Sequence, residues 1–353
     1  MRKWRVGSLS SGLLLILLGT LLLASTFGKL PFLDTLIKYW PIILILLGVE
    51  VLAYQFLKKE GKVQYDGVSI LIIFVIAVVS IVLIPFHAFH LSDAFTPMKS
   101  KTIAKDYNLP KTIKKLRINI PEGDLILRGQ STNDIHVDGT YPTPTDSPSN
   151  QELLEWSVKG DIATLRIRSS QKGVRSLFFD KKPQVSIDLP QSLALDIEAK
   201  SADLEGRNLK AATTIRQSMG DLSLKQMDGN LTVDHDMGDV RLNDIKGSIK
   251  VENVSGQIRV DHCMGPLDLK NTNGDVTIYA SKLKGDWMTY TENGNIMLFL
   301  TEPTDATIHG NVSSGELTGN VKWKNDQLTL GSGKHAIQLS TTNGEIRVDT
   351  PHP

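Results

Sequence analysis

Two polar clusters contain the residue types that proton transfer or metal binding would require. They are Asp234-His235-Asp236 and Asp261-His262-Cys263. Carboxylates and imidazoles exchange protons with substrates and bind zinc. The clusters lie 27 positions apart (261 − 234 = 27), so a repeat of that length would stack them into a metal site or an acid–base pair. A repeat of about 18 residues would separate them, and we interpret Asp234, His235, Asp261 and His262 as exposed polar turns.

Aspartates that directly follow glycines suggest a second chemistry, because calcium β-rolls also repeat every nine residues. Asp221, Asp239 and Asp275 hold this position. Calcium rolls, however, need several glycines in each turn, and this chain has one glycine per unit with two aliphatic residues after it. We therefore predict no metal, no cofactor and no catalytic residue.

These candidate residues belong to a repeat that occupies residues 220–298. Glycine recurs every nine residues, and the second and fourth residues after each glycine are aliphatic: Leu222/Leu224, Leu231/Val233, Val240/Leu242, Ile249/Val251, Ile258/Val260, Leu267/Leu269 and Val276/Ile278. This alternation predicts short strands with one buried face. A fixed period over several units predicts a parallel β-solenoid, with the glycines in turns that need a positive φ.

The number of nine-residue units in one coil follows from the residues before the glycines. Met227, Ile245 and Cys263 stand two positions before alternate glycines, whereas the intervening turns are more polar. This favours two units and a coil of about 18 residues. The likeness of 229–237 to 256–264 favours three units instead, and that alternative stays open.

Composition excludes several functional classes. The net charge is +1, which gives no support for a nucleic-acid partner. A single cysteine excludes an internal disulfide framework. The sequence contains no nucleophile elbow, phosphate-binding glycine loop, zinc-protease helix or dinucleotide fingerprint, so we predict that the protein is not an enzyme.

Three apolar runs occupy the first quarter of the chain, at 9–27, 40–57 and 68–86. Each is long enough to cross a bilayer as a helix, which takes about 17–25 residues. Basic residues precede the first run and separate the second from the third: Arg2, Lys3, Arg5, Lys58, Lys59 and Lys62. The positive-inside rule therefore predicts a plasma-membrane protein with a cytoplasmic N-terminus and an extracytoplasmic C-terminal domain.

Two features of the predicted spans suggest partners. Ser8, Gly12 and Gly19 could form a small-residue face for another membrane protein, or pack within this chain's own three-helix bundle. Glu50 is the only acid inside a predicted span, and intramembrane acids often mark function. Its closeness to the cytoplasmic end would also let it reach the headgroups. We predict membrane lipid and a membrane signalling protein as partners.

The sequence divides into four predicted regions: three transmembrane helices (1–90), an extracytoplasmic tether (91–110), an N-terminal β region that caps the solenoid (111–190), and the solenoid (191–350). Residues 336–348 repeat the cassette, and we expect them to close the solenoid.

A basic and aromatic segment interrupts the β region. It contains Arg175, Phe178, Phe179, Lys181 and Lys182. Such a mixture suits contact with anionic cell-wall polymer or with the outer leaflet. The phenylalanines could equally plug the open end of the solenoid.

Several motifs together resemble the putative-adhesin domain of unknown function found in bacterial envelope proteins. They are the opening strands of 116–127, Val185-Ser-Ile-Asp-Leu-Pro, the glycine cassettes and Thr342-Asn-Gly-Glu-Ile-Arg-Val. The membrane region, with Tyr39-Trp-Pro-Ile-Ile-Leu-Ile-Leu-Leu-Gly, is similar to that of Lia-type envelope-stress proteins. The resemblance implies a Gram-positive surface protein with a β-solenoid, and it supplies no catalytic residues.

We therefore expect a non-enzymatic envelope protein that senses stress or modulates a membrane signalling partner. The alternative is a surface adhesin or a module that binds cell-wall polymer. A carbohydrate-active enzyme is the remote alternative, because no cluster of catalytic residues supports it.

Overall fold

The computed structural model describes residues 98–144, 153–168 and 182–351. The chain divides into two compact units, Met1–Phe95 and Thr96–Pro353, and every described residue belongs to the second. The predicted spans, with Ser8, Gly12, Gly19 and Glu50, therefore lie outside the described residues. Within the described ranges, no segment forms a helix that is long and apolar enough to cross a bilayer.

The described part of the chain consists of strands and contains no helix. The strands are β1 (Met98–Asn108), β2 (Lys115–Gln130), β3 (Asp134–Pro144), β4 (Leu154–Lys159), β5 (Ile162–Ile167), β6 (Gln184–Pro190), β7 (Ala194–Arg207), β8 (Thr213–Met219), β9 (Leu222–Met227), β10 (Leu231–Met237), β11 (Val240–Ile245), β12 (Ile249–Ser255), β13 (Ile258–Asp261), β14 (Leu267–Asn273), β15 (Val276–Ala280), β16 (Trp287–Asn293), β17 (Ile296–Leu300), β18 (Ala306–Ser314), β19 (Leu317–Gly319), β20 (Gln327–Leu330), β21 (His335–Asn343) and β22 (Ile346–Asp349).

Most of these strands pair in parallel and form two rows. Row A contains the first halves of β2 and β7, then β8, β10, β12, β14, β16 and β21. Row B contains the second halves of β2 and β7, then β9, β11, β13, β15, β17 and β22. In row A, Leu231 pairs with Ile249, and in row B Val240 pairs with Ile258, each 18 positions further along the chain (249 − 231 and 258 − 240). We call one strand of each row, such as β10 with β11, a level.

The alternation predicted from the sequence is confirmed. All fourteen aliphatic cassette positions from Leu222 to Ile278 are at most 3% exposed. The residues between them, such as Thr232, Arg241 and Lys250, face outward. Stacking in register therefore places aliphatic residues against aliphatic residues of the next level, which forms one continuous core.

The glycines serve two different purposes. Gly220, Gly238, Gly256 and Gly274 have φ between 113° and 137°, as predicted. The prediction is wrong for the alternate glycines, such as Gly229 and Gly247, because their φ values are not positive. A Cβ atom on Gly247 would instead lie 2.3 Å from the carbonyl oxygen of Gly229 on the preceding level. At these turns glycine is required because two backbones approach closely.

The C-terminal segment does not close the stack, contrary to our expectation. Strand β21 lies between β16 and β18, and β22 lies between β17 and β19. The terminal level is β18 with β19, and β20 pairs antiparallel with β18 at its edge. The reason is that Ile337 and Ile346 present the same cassette as any inner level, so both edges of their strands find parallel partners.

The N-terminal end has the same arrangement. Strand β2 lies between β7 on one side and β5 and β6 on the other. Antiparallel strands then cover this end, with β4 on β5, β3 on β6 and β1 on β3. Residues 98–108, which we predicted to be part of the tether, therefore form strand β1. Ile103 explains the difference, because its burial at 7% exposure fixes this strand on the sheet.

Replacing Gly247 with alanine tests the close approach of the backbones. We expect Gly247→Ala to lower the free energy of unfolding by about 2–3 kcal/mol, because the added methyl group overlaps a backbone oxygen. The control is Gly160→Ala, where φ is +65° but no atom lies within 4 Å of the added Cβ; it should cost about 1 kcal/mol. Urea unfolding of the full-length protein in an uncharged detergent, followed by circular dichroism, measures both. Equal costs would contradict the close-approach explanation.

Candidate functional site

A column of buried polar side chains runs through row A at the turns that follow it. The column contains Gln217, His235, Asn253, Asn271, Thr291 and Thr341, none more than 3% exposed. Each is the register partner of the next. We call this column the polar ladder.

The polar ladder binds the carbonyl oxygens of the glycine turns. Gln217 Nε2 donates to Gly220 O at 2.8 Å, and Asn271 Nδ2 donates to Gly274 O at 2.8 Å. Thr341 Oγ1 donates to Gly294 O at 2.9 Å. Because a buried carbonyl without a partner costs about 1–3 kcal/mol, the ladder stabilises every turn that it reaches.

His235 is part of this ladder and is not an exposed turn residue, which corrects our interpretation. It is 0% exposed on β10 because the alternation of the strand's inward face continues to the second residue beyond Val233. Its Nε2 lies 2.8 Å from Gly220 O, and its Nδ1 lies 2.7 Å from Asn253 Oδ1.

The neighbouring amides determine how His235 is bonded. Asn271 must direct its NH2 group at two carbonyls, Gly256 O and Gly274 O, so its Oδ1 accepts from Asn253 Nδ2 at 3.0 Å. Asn253 therefore presents Oδ1 to His235. Both ring nitrogens of His235 therefore lie against oxygen acceptors, Nδ1 against Asn253 Oδ1 and Nε2 against Gly220 O.

The two polar clusters found in the sequence do not meet. Asp234 pairs in register with Glu252 in row A, whereas Asp261 pairs with Asn243 in row B. Asp261 accepts a hydrogen bond from Arg259 Nε at 2.9 Å. His262 lies in an exposed turn with φ of 54°. Among the described residues, no three His, Cys, Asp or Glu side chains form a group that could hold a metal.

Cys263 is a core residue. It is 2% exposed, and burial raises the pKa of its thiol to about 12. The thiol therefore stays protonated at neutral pH, which suits packing and not nucleophilic chemistry.

The aspartates at the turn position that usually follows a glycine bind the backbone of the next level; Asp203 holds this position after Ala202. Asp203 Oδ1 accepts from the N–H of Asp221 at 2.9 Å, and Asp221 Oδ1 accepts from the N–H of Asp239 at 3.1 Å. Asn230 does the same for Ser248 on the other turn, at 3.1 Å. These side chains hold successive levels together.

Arg241 and Arg259, which face outward on row B, are register neighbours, but each has its own carboxylate. Arg241 lies 2.7 Å from Asp239, and Arg259 lies 2.9 Å from Asp261. The Arg259 guanidinium also covers the Tyr279 ring at 4.6 Å, and that ring stacks on Phe299. This part of the surface is electrostatically balanced.

An open groove of about 720 Å³ lies along the N-terminal levels. Side chains of both charges line it, among them Arg166, Arg168, Lys200, Arg216, Glu198 and Asp234. Arg216 is bound to Asp196 at 2.9 Å and Arg168 to Glu155. An open groove with alternating charges suits an extended polar chain better than a compact substrate.

The predicted contact segment can be described only at its end. Lys182 is exposed at the start of the chain that leads into β6. Arg175, Phe178, Phe179 and Lys181 lie outside the described residues, so both interpretations of this segment stay predictions.

The comparisons identify the family to which this fold belongs. The Toastrack DUF4097 family model matches residues 113–349, which covers more than half of the chain. The chain belongs to the Toastrack DUF4097 family. Residues 9–52 match the LiaI-LiaF-like transmembrane region. The chain thus joins a Toastrack domain to a membrane region of the Lia type, as the resemblance in the sequence indicated.

Solved structures with distant similarity to this Toastrack chain are named as adhesion proteins. A "putative cell adhesion protein" from Clostridium sporogenes is 16% identical and covers 72% of this chain and 100% of its own, with a TM-score of 0.25. A "putative adhesin" from Bacteroides fragilis is 14% identical and covers 71% of this chain and 97% of its own, with a TM-score of 0.38. A "putative adhesin" from Parabacteroides merdae is 11% identical and covers 72% of this chain and 96% of its own, with a TM-score of 0.40. Likenesses this distant carry no information about function. Among curated proteins, none matches the chain.

The polar ladder of this Toastrack domain was missed by our sequence reasoning, although a signal for it exists. A polar residue stands three positions before every second glycine, as in Gln217 before Gly220 and Asn271 before Gly274. The aliphatic alternation ends one step earlier, which is why we assigned His235 to an exposed turn and did not single out the other members of the ladder.

Substitution of His235 tests the polar ladder. His235→Leu should lower the free energy of unfolding by about 1–3 kcal/mol, because it removes the buried ring nitrogens that lie against Asn253 Oδ1 and Gly220 O and leaves Gly220 O with only Gln217 as a side-chain donor. The matched control is His235→Gln, since Gln217 already donates to the same carbonyl from the preceding level. Urea unfolding of the full-length protein measures both, and a leucine variant as stable as the glutamine variant would refute the role of the ladder.

The turn carboxylates should make the domain sensitive to acid. The N–H of Asp239 is the main cause that lowers the pKa of Asp221, with Arg241 and the charge of His235 adding to it against the cost of burial. Because the folded pKa is depressed, the stability that Asp221 contributes is present above the unfolded pKa of roughly 3.9 and is lost as the pH falls through the folded value.

Asp221→Asn should therefore flatten the loss of stability below about pH 4, because asparagine keeps an oxygen for the Asp239 N–H but does not titrate. The reciprocal control, Asn230→Asp, introduces a titrating group in the same role toward Ser248 and should steepen the loss. Unfolding midpoints measured across acidic pH would show both changes. The same loss of stability with falling pH in the wild type and in both variants would contradict the role given to Asp221.

Proposed function

We propose that the protein is a non-enzymatic envelope protein that presents a β-solenoid with 18-residue coils outside the plasma membrane and modulates a membrane signalling partner. The observation that carries this proposal is the division of the domain into a constant interior and a variable exterior. The inward cassette positions are aliphatic at every level from β9 to β15. The outward positions differ in charge and size from one level to the next, as at Ser223, Arg241 and Thr277.

A rigid stack of this kind suits a protein that presents its outer surface to a partner and transmits a displacement along its length. Antiparallel strands cover β5 and β6 at one end of the stack and β18 at the other, and the core runs between these ends without interruption. The polar ladder runs through the inner levels, from Gln217 on β8 to Thr341 on β21. A displacement of one part of such a stack is carried to the next, because each level is held to its neighbours by backbone hydrogen bonds.

The membrane arrangement belongs to the same proposal. Three helices in 1–90, with a cytoplasmic N-terminus, would anchor the domain, and a short segment before β1 would join it to the last helix. The likeness of 9–52 to the LiaI-LiaF-like transmembrane region supports an anchor that also contacts a partner within the membrane. Ser8, Gly12 and Gly19 would form that contact face, and Glu50 would contribute a polar group to it.

Substitution of the small-residue face tests the signalling role. Replacing Ser8, Gly12 and Gly19 together with leucine should abolish photocrosslinks from this face to a membrane protein and change the output of an envelope-stress reporter, because bulky residues prevent close helix packing. The matched control replaces Leu13, Leu17 and Leu21 with isoleucine in the same predicted span. A normal reporter and unchanged crosslinks in a correctly inserted leucine variant would reject the proposal.

Cell-wall polymer binding is the second candidate, and the groove of about 720 Å³ favours it. The groove is long and open, and it carries both charges. Lys200→Glu with Arg216→Glu should reduce cosedimentation of the full-length protein with purified cell wall, whereas Arg241→Glu on row B should not. Equal cosedimentation of all three proteins would remove this candidate.

A further inference from the structure

A column of positive charge crosses three adjacent strands of row B near its N-terminal end. Arg128 of β2 pairs in register with Arg207 of β7, and Arg207 pairs with Lys225 of β9. All three side chains point outward, because the residues before them, Leu127, Gly206 and Leu224, face the core. Adjacent strands lie about 4.8 Å apart, so like charges are held side by side.

Few carboxylates compensate these charges. Within the described ranges, neither Arg207 nor Lys225 forms an ion pair. Arg128 has one carboxylate neighbour, Asp188 at 3.4 Å, and its Nε is buried without a hydrogen-bond partner. Like charges in register destabilise a sheet, and a buried donor without an acceptor adds to that cost.

The remaining arginines of the same face are different. Arg241, Arg259 and Arg347 each have a carboxylate within 2.7–2.9 Å. Paired charges are therefore the general pattern of row B, and the column of Arg128, Arg207 and Lys225 departs from this pattern.

This column lines a concave site. The site has a volume of about 210 Å³ and is bounded by Ile126, Leu127, Arg128, Glu205, Gly206, Arg207, Ser223 and Lys225. It contains three cations, one hydroxyl group and one carboxylate. The volume suits a single small anionic group, and it is too small for a macromolecular segment.

We propose that this site, the cationic pocket, binds a phosphate group. A phosphate offers at least three acceptor oxygens in a tetrahedral arrangement, whereas a carboxylate offers two in a plane. Three oxygens can accept from the Arg207 guanidinium, the Lys225 ammonium and the Ser223 hydroxyl together. The negative charge also removes the repulsion between the three strands, so binding and local stability are coupled.

The phosphate could belong to a soluble molecule or to a lipid headgroup, because both present the same oxygens. Three probes separate these sources: inorganic phosphate, glycerol 3-phosphate, and vesicles of phosphatidylglycerol compared with vesicles of phosphatidylcholine. Titration calorimetry for the small probes and flotation for the vesicles use the full-length protein in an uncharged detergent or reconstituted in discs.

The test variant is Arg207→Gln with Lys225→Gln, and the matched control is Arg241→Gln, which removes a paired arginine from the same face. We expect phosphate or glycerol phosphate to bind at least roughly tenfold more weakly to the double variant, because two charge-assisted hydrogen bonds are lost, and equally well to the control. The double variant should also lose the rise in melting temperature that phosphate gives to the wild type.

Binding to phosphatidylglycerol vesicles that depends on Arg207 and Lys225 would assign the phosphate to a lipid. Binding of the small probes alone would assign it to a soluble ligand. Binding that is equal in the wild type and the double variant, or that weakens as much in Arg241→Gln, would overturn the proposal, because the effect would then be general charge attraction.

Discussion

The structure depends on one constraint, the parallel register in which each strand pairs with the strand of the neighbouring level at equivalent positions. Because Leu231 lies on Ile249 and Ile249 on Leu267, aliphatic residues always meet aliphatic residues. The same register places each turn carbonyl beside the polar ladder and each turn aspartate beside the next backbone N–H. A slip by one position would reverse every side chain and lose all three sets of contacts at once.

The ends of the stack show how the domain protects itself against pairing with other chains. An exposed parallel edge attracts further strands. Here each terminal level is formed by a segment from within the sequence. At one end β3 and β4 cover this level in antiparallel pairing, and at the other end β20 covers β18. The first and last strands of the stack, β2 and β22, lie one level inside and are paired on both sides. The stack therefore cannot unwind from a chain end without breaking two interfaces.

Partners meet the exterior of such a scaffold, because the side chains of the polar ladder bond to the turn carbonyls and to one another inside it. The histidine and aspartates that first suggested chemistry are used to hold levels together, as His235 and Asp221 show. What remains for partners is the outward face, where charge is balanced in most places and, among the described residues, uncompensated at Arg207 and Lys225 beside Arg128. Unpaired charges on this face indicate a binding site better than the number of charged residues does, since paired surface charges contribute little to stability.

The sequence by itself determined the strands, their buried faces and the family. The alternation of residues such as Leu222 and Leu224 leaves only one way to bury an aliphatic face, and this is a local property of the chain. Tertiary structure decided which strands are neighbours, which glycines need a positive φ and that His235 is buried. The physical reason is that the cassettes are alike. Strand β21, which contains Ile337, carries the same aliphatic alternation as the other strands that could pair beside Trp287, so the cassette alone does not specify its neighbour. His235 likewise follows an aliphatic alternation that stops before it, and the carbonyl that it binds comes from another level.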